Sequence, residues 1–415
     1  MYRKKNWKNK TDDKGSYMAQ KKIPYLRIVE PPEDPAEVKK KVSRFRKQKM
    51  IDILAIAVLA ALAVCGTYLL LKNQTYDRAR SASTYKNDIS DTNSYVEFAG
   101  GIVRYNRDGV VFLNRKNEEQ WIQSTQLQNP IIEVKDKTFA VADRGGNNIL
   151  VFTEDGLKGE IETTLPIEKI TVSEQGIVSA ILRNENSPRI LTYDAAGNIL
   201  VEQQVTMSSV GYPVALALSD DGNTLAISYL YTEGTSLGSR VVYYNFGEAG
   251  QEKADNTVAS DEYSGEIAAD IFFMGNDRSV AVGDNSFIIY EGLETPEKVK
   301  EVTLNREIRS VFHSDRYIGF ILLNEEKSGY EVSLYDRSGN QVIRKPVSGE
   351  YAHVKIDGDE IIMFDGSRCC IMTDTGVMKF QGNLNVEALE MFGAPGLNRY
   401  YVMSVDELKV IYLTN

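Results

Sequence analysis

The chain has 415 residues and a net charge of −10, but the charge is strongly partitioned. Residues 1–50 hold 16 Lys and Arg against 6 Asp and Glu, a net of +10, whereas residues 72–415 hold 32 against 51, a net of −19. An acidic block of this size excludes nucleic acid as its partner, three cysteines exclude a disulfide-built scaffold, and two histidines without a C-x-x-C pair leave no zinc site.

In chain order, residues 1–33 are polar, lysine-rich and without periodicity, which predicts a disordered basic tail. Asp34, Pro35 and Glu37 then read as a helix start: an N-cap, a proline at the first helical position, and a capping-box acid. Residues 34–50 form a basic amphipathic segment with Val38, Val42 and Phe45 at helical spacing. Around them stand Lys39, Lys40, Lys41, Arg44, Arg46, Lys47 and Lys49. Such a cluster sets topology by holding its side of the membrane at the anionic inner leaflet; the other reading is a docking site for a cytoplasmic partner.

Residues 51–71 are expected to span a bilayer. From Ile53 to Leu71 no charge occurs, and a helix of that length reaches about 28 Å, close to the thickness of the hydrocarbon layer. The anchoring side chains are Ile53, Leu54, Ile56, Val58, Leu59, Leu62, Val64, Tyr68, Leu69, Leu70 and Leu71. The basic flank predicts a cytoplasmic N-terminus and an extracytoplasmic remainder at the cell membrane. A long lead-in and the lack of an A-x-A site argue against a cleaved signal peptide. Cys65 has lipobox spacing, but Val64 stands where that signal needs a small residue. Ala57, Ala61 and Cys65 recur at i, i+4 and i+8, a small-residue stripe suited to a homodimer of helices.

Residues 72–93 are expected to be a linker or a closing strand. From residue 94 to 415 the pattern changes to runs of four to eight Val, Ile, Tyr and Phe residues separated by Gly, Asn and Asp turns. Turns recur in kind at Gly156, Gly197, Gly339 and Gly376, each after an apolar run, with Gly250 as a further marker. There an Asp or Asn side chain turns the chain and Gly takes the positive φ of a tight hairpin. Four-stranded units at this spacing predict an all-β extracytoplasmic β-propeller of seven or eight four-stranded blades, and the parse favours eight. Modules begin near Tyr95, Ile131, Ile167, Tyr212, Ile267, Ile308, Tyr351 and Val386. The last has three strands, so a segment before Tyr95 supplies the fourth and closes the ring.

The turns and the repeat length resemble the pyrroloquinoline-quinone-type and WD40-like propeller superfamilies. The full plan of basic tail, one span and one propeller resembles an uncharacterised family of membrane-anchored propellers of Gram-positive bacteria. Neither resemblance implies an activity. Trp121 is the single tryptophan after the span, and no G-H or W-D pair recurs.

Residues with chemical potential are sparse. The acidic tips Asp220-Asp221 and Asp357-Gly-Asp-Glu360 read as turns, and the acid-rich stretch 247–266 as a solvated, mobile insertion. His313 reads as a packed or edge histidine. Adjacent Cys369 and Cys370 should face opposite sides of a strand, one thiol in the core and one at the surface. No catalytic set, cofactor site or metal site assembles. The expected function is protein or peptide binding in the cell envelope, as scaffold or sensor, and the alternative is an extracytoplasmic hydrolase using a carboxylate pair in the propeller funnel.

Overall fold

A computed structural model describes residues 34–86, 93–184, 187–204, 210–324 and 329–415. The predicted tail at 1–33 lies outside them. By its contacts the chain divides into one unit over Met1–Tyr68 and another over Leu69–Asn415.

Within the first unit runs most of a single α-helix, Pro35–Lys72. Asp34 caps it, its Oδ1 accepting the Ala36 amide at 3.0 Å. The boundary expected at residue 50 is not marked by a break, because no proline or glycine interrupts residues 36–65. The helix is long and apolar enough to cross a membrane, and its large apolar side chains are exposed.

The second unit is an all-β propeller of eight antiparallel sheets. The innermost strands of blades 1 to 8 are Ser94–Phe98, Pro130–Lys135, Ile167–Val172, Tyr212–Leu218, Asp270–Phe273, Ile308–His313, His353–Asp357 and Glu390–Gly393. Strands within a blade are called A to D from the inside outward. Blades 1 to 6 each take four consecutive strands. In blade 8 the outermost strand is Arg78–Lys86, which follows the helix and pairs antiparallel with Glu407–Thr414 at the other end of the chain. The ring thus closes as the sequence predicts. In blade 7 the element Glu360–Thr373 pairs with the inner strand through residues 360–364 and with Met378–Ala388 through residues 366–372, and it doubles back, since the Asp374 amide donates to the Asp359 carbonyl at 2.8 Å. Its two arms stand as strands B and C and Met378–Ala388 as strand D, whose Phe380 Tyr76 bridges in parallel before the chain crosses to blade 8.

Eight apolar clusters hold the ring, one at each junction between neighbouring blades. Because each blade is sandwiched between two others, both faces of its middle strands are buried, and these strands read as unbroken apolar runs. In blade 2, Ala140, Ala142, Ile149 and Val151 face blade 3, while Phe139, Val141, Leu150 and Phe152 face blade 1. The same geometry corrects the cysteine expectation. Cys369 packs toward blade 8 and Cys370 toward blade 6, so opposite faces are both core and both thiols are buried. Burial pushes both thiols up, Cys370 to about 12.

Two further expectations change. The stretch 247–266 is not an insertion: it carries a short helix, Glu248–Gln251, and then Thr257–Ser264, the D strand of blade 4, paired with Ser236–Asn245. Before it, residues 232–239 extend the B–C hairpin of that blade to a tight turn at Glu233–Ser236, where Gly234 takes φ +62°. Val386 belongs to the outer strand Met378–Ala388 of blade 7 rather than opening blade 8. The recurrent turns fall between strands C and D. Asp194 Oδ1 accepts the Ala196 and Asn198 amides at 2.9 Å each, Asp336 does the same for Ser338 and Asn340, and Gly197 and Gly339 take φ of +85° and +70°.

Candidate functional site

The inner strands alternate, so in each blade a few side chains turn toward the central channel. One mouth of the channel is rimmed by A–B and C–D hairpins, here the hairpin face. The other is rimmed by B–C turns and by the links between blades, here the connection face.

The channel is polar. Lys355 of blade 7 bridges Glu97 of blade 1 at 3.1 Å and Glu390 of blade 8 at 2.6 Å, with its ammonium 5.4 Å from the centre of the Phe392 ring. Burial alone lowers the Lys355 ammonium, but Glu390 and Glu97 outweigh it and leave the pKa raised. Toward the hairpin face Lys135 of blade 2 reaches Asp220 of blade 4 at 2.6 Å. The tip at Asp220 therefore ties two blades together as well as turning the chain. His313 lies flat on Phe272 of the preceding blade, ring centres 3.8 Å apart; it is open to the channel but ringed by protein, and that enclosure, with Lys135 nearby, lowers it to about 4. His353 stacks on Phe364 at 4.8 Å. Both histidines are ring-packed, as read from the sequence for His313.

Glu133 and Asp270 differ from the channel lysines in having no ion-pair partner among the described residues. Glu133 is open to the channel but ringed by protein, and that enclosure, with Asp270 opposing, raises it to about 7. Enclosure also raises Asp270. Lys169 donates to the Val214 carbonyl and moderates both.

Two recesses open on the connection face. One, of about 730 Å³, lies between blades 5 and 6; the other, of about 570 Å³, lies over blades 2 to 4. The second is edged by Arg144, Arg183 and Glu168, whose carboxylate accepts the Tyr212 hydroxyl at 2.6 Å. Burial and that carboxylate push Tyr212 up to about 12.

On the hairpin face Lys72 pairs with Asp359 and Asp374 of blade 7 at 3.1 Å each, and Arg316 of blade 6 also reaches Asp359 at 2.7 Å. Arg316 and Lys72 hold Asp359 below the usual carboxylate range. The tip 357–360 was legible only as a turn; that it receives the entering chain was not.

The sequence-predicted anchor residues and the basic cluster all fall on Pro35–Lys72, as do Ala57, Ala61 and Cys65. Sequence reasoning missed Glu97, Glu133, Asp270, Lys355 and Glu390. Their signal is a charge inside an otherwise apolar inner strand, as Glu97 in Ser-Tyr-Val-Glu-Phe.

In fold the chain is similar to BamB from Moraxella catarrhalis, at 12% identity over 81% of this chain and 100% of that one with a TM-score of 0.50. It is similar to Sqt1 from Saccharomyces cerevisiae, at 12% identity over 81% and 99% with a TM-score of 0.54. It is also similar to dipeptidyl peptidase 4 from Porphyromonas gingivalis, at 15% identity over 81% of this chain and 58% of that one with a TM-score of 0.50. At these identities the likeness concerns the fold alone. No curated protein matches the chain by sequence. A family of unknown function, DUF5711, matches residues 72–413, which is the propeller together with the closing strand and without the apolar part of the helix. The chain belongs to that family.

Proposed function

We propose that the protein is a membrane-anchored propeller that binds a protein or peptide on its connection face, outside the cytoplasmic membrane, as a scaffold or sensor of the cell envelope. The observation that carries this reading is the contrast between the two mouths of the channel. At the hairpin face, Lys72, Lys135 and Arg316 are taken up in ties to Asp220, Asp359 and Asp374, and the recess at that mouth is smaller, about 390 Å³. At the connection face, two recesses remain open beside the channel. The basic cluster from Lys39 to Lys49 supports an N-terminus on the cytoplasmic side. The stripe Ala57, Ala61 and Cys65 supports pairing of two such helices.

Photo-crosslinking in the native membrane tests the reading. A crosslinker at Asn285 or Arg144 on the connection face is expected to trap a discrete protein adduct, and one at Lys116 on the hairpin face is not. Adducts from Lys116 alone, or equally from both faces, would contradict it.

A second reading, an extracytoplasmic hydrolase, is favoured by one observation: Glu133, held near neutral pKa, opposes Asp270 within the channel. It requires that Glu133→Gln abolish turnover of a glycan or peptide substrate while leaving the connection-face adduct intact.

A further inference from the structure

We infer that the hairpin-face rim where blades 8 and 1 meet is a contact surface for the membrane, with Arg78, Arg80, Arg399, Arg115 and Lys116 against anionic lipid headgroups and Leu397 at their border with the acyl chains. This rests on the membrane-anchored reading above and assigns the side of the propeller that the bilayer meets.

The tether is the first argument. Leu69–Asn415 is one unit, so the end of the apolar run at Leu71 belongs with the propeller. Tyr76 stands five residues beyond Leu71, and a chain of that length reaches at most about 18 Å. There Tyr76 bridges Phe380 of blade 7, and its hydroxyl accepts Asn398 Nδ2 from the A–B tip of blade 8. This part of the hairpin face is therefore held near the surface from which the chain emerges. Lys72 itself is spent on Asp359 and Asp374.

Charge is the second argument. Arg80 pairs in register with Tyr412, and Tyr412 with Arg399, so the three side chains stand in a row across strands D, C and B of blade 8. Arg78, two residues before Arg80 on the same strand, shares their side of the sheet. Tyr401, two residues past Arg399, is pushed up by burial and pulled back by Arg115, which thus stands beside it on the C–D turn of blade 1. The four arginines and Lys116 are exposed, and none has an ion-pair partner among the described residues. Asp77 and Glu118 are the acids next to them in the chain, so the rim is basic within a region, 72–415, of net charge −19.

The hairpin tips give a third and independent argument. Each A–B tip from blade 2 to blade 7 carries an acid: Asp136, Glu174, Asp220, Asp277, Asp315 and Asp359. The A–B tips of blades 8 and 1, residues 394–398 and 99–100, carry no charge, and Leu397 in the first is 56% exposed. An anionic surface repels the acidic tips and admits the neutral pair. An exposed leucine beside basic groups suits a lipid interface, where apolar insertion and headgroup attraction add. A soluble phosphate or polyanion has no use for the leucine.

The test uses the full chain with Cys65→Ser in nanodiscs of phosphatidylcholine, alone or mixed with phosphatidylglycerol; Cys369 and Cys370 are buried. An environment-sensitive fluorophore is attached at Leu397→Cys or, across the ring in blade 4, at the exposed position Gln251→Cys, with spin-labelled lipid as the quencher. In mixed discs the label at 397 is expected to lose most of its emission and the label at 251 almost none. Arg78→Glu, Arg80→Glu and Arg399→Glu together, or high salt, should return the emission at 397 to its level in phosphatidylcholine discs. If the triple variant fails to fold, Lys116→Glu, at an exposed turn, should recover part of the emission and decides the matter. Equal quenching at 397 and 251 would overturn the inference, as would quenching at 397 that ignores both the lipid charge and the Glu variants. A protein adduct trapped by the Lys116 crosslinker would overturn it in favour of a protein partner. Failure of the parent chain to enter the discs removes the membrane-anchored reading itself, whereas an inserted chain with an unquenched label at 397 leaves that reading standing and removes the contact alone.

Discussion

The junction of blades 1 and 2 and the junction of blades 7 and 8 join neighbouring sheets in opposite ways. The first is aromatic: Trp121 from the outer strand of blade 1 stacks on Phe152 at 5.3 Å and 3°, Phe139 stacks on Phe152 at 4.8 Å, and Phe98 meets Phe139 edge-on at 4.8 Å. Its ring system carries a polar contact too, the Trp121 indole donating to the Glu154 carbonyl at 2.9 Å. The second carries a buried polar network inside its apolar cluster. Lys379, 4% exposed, pairs with Glu360; the Tyr400 hydroxyl donates to Glu360 at 2.6 Å; Asn398 donates to the hydroxyl of Tyr76, which the entering chain brings in. Large rings hold the first junction by area, tolerant of small shifts. Buried charges hold the second in one register, because any other leaves a group unpaired. Specificity is concentrated where the two ends of the chain must find each other.

The largest expected effect comes from removing the strand that makes the second junction necessary. Deleting residues 78–86 exposes the edge of Glu407–Thr414. The full chain should then lose its cooperative thermal transition and self-associate on size exclusion. Next, Lys379→Met strands the Glu360 carboxylate and should cost about 3–5 kcal/mol in denaturant unfolding. Adding Glu360→Gln should recover much of that loss, and the non-additivity sharpens the contrast. Trp121→Ala removes a half-buried ring from the aromatic junction and should cost about 2–3 kcal/mol. Coupling with Glu360 should be negligible, and any sizeable coupling would break the comparison.

The smallest effects are the channel titrations, which have opposite signs. Glu133 has a raised folded pKa of about 7, so its contribution is greatest below the unfolded value near 4.5 and is lost as pH rises through 7. Glu133→Gln should therefore stabilise at pH 8, by less than about 1 kcal/mol because the group meets channel water, and have no effect at pH 4. His313 has a lowered folded pKa of about 4, so its contribution is present above its unfolded value of 6.5 and lost as pH falls from there toward 4. His313→Phe should flatten that acid limb in thermal melts between pH 4 and 7.

Much of the architecture was legible because it rests on local chemistry. The Asp194 and Asp336 turns announce themselves by Asp and Gly at fixed spacing, and each falls between strands C and D. The three-stranded last module implied the closing strand, which is Arg78–Lys86. What stayed hidden depends on which face looks where. Cys369 and Cys370 were misassigned because strand alternation says which side a thiol points to, but not that both sides are covered. Thr257–Ser264 was hidden by its polar composition, as expected of an outermost strand with one exposed edge. The channel set of Glu97, Lys355 and Glu390 comes from three blades distant in sequence, and no spacing rule brings them together.

The central claim is that the segment directly following the helix closes the ring. Paired cysteines at Ala79 and Leu413, which face each other across the closing pair, test it in the full chain with Cys65 replaced by serine. Oxidation should give an intramolecular disulfide and a higher Tm, while the register-shifted pair of Ala79 with Ile411 gives none. Failure of the first pair to crosslink, or crosslinking only between chains, would contradict the account.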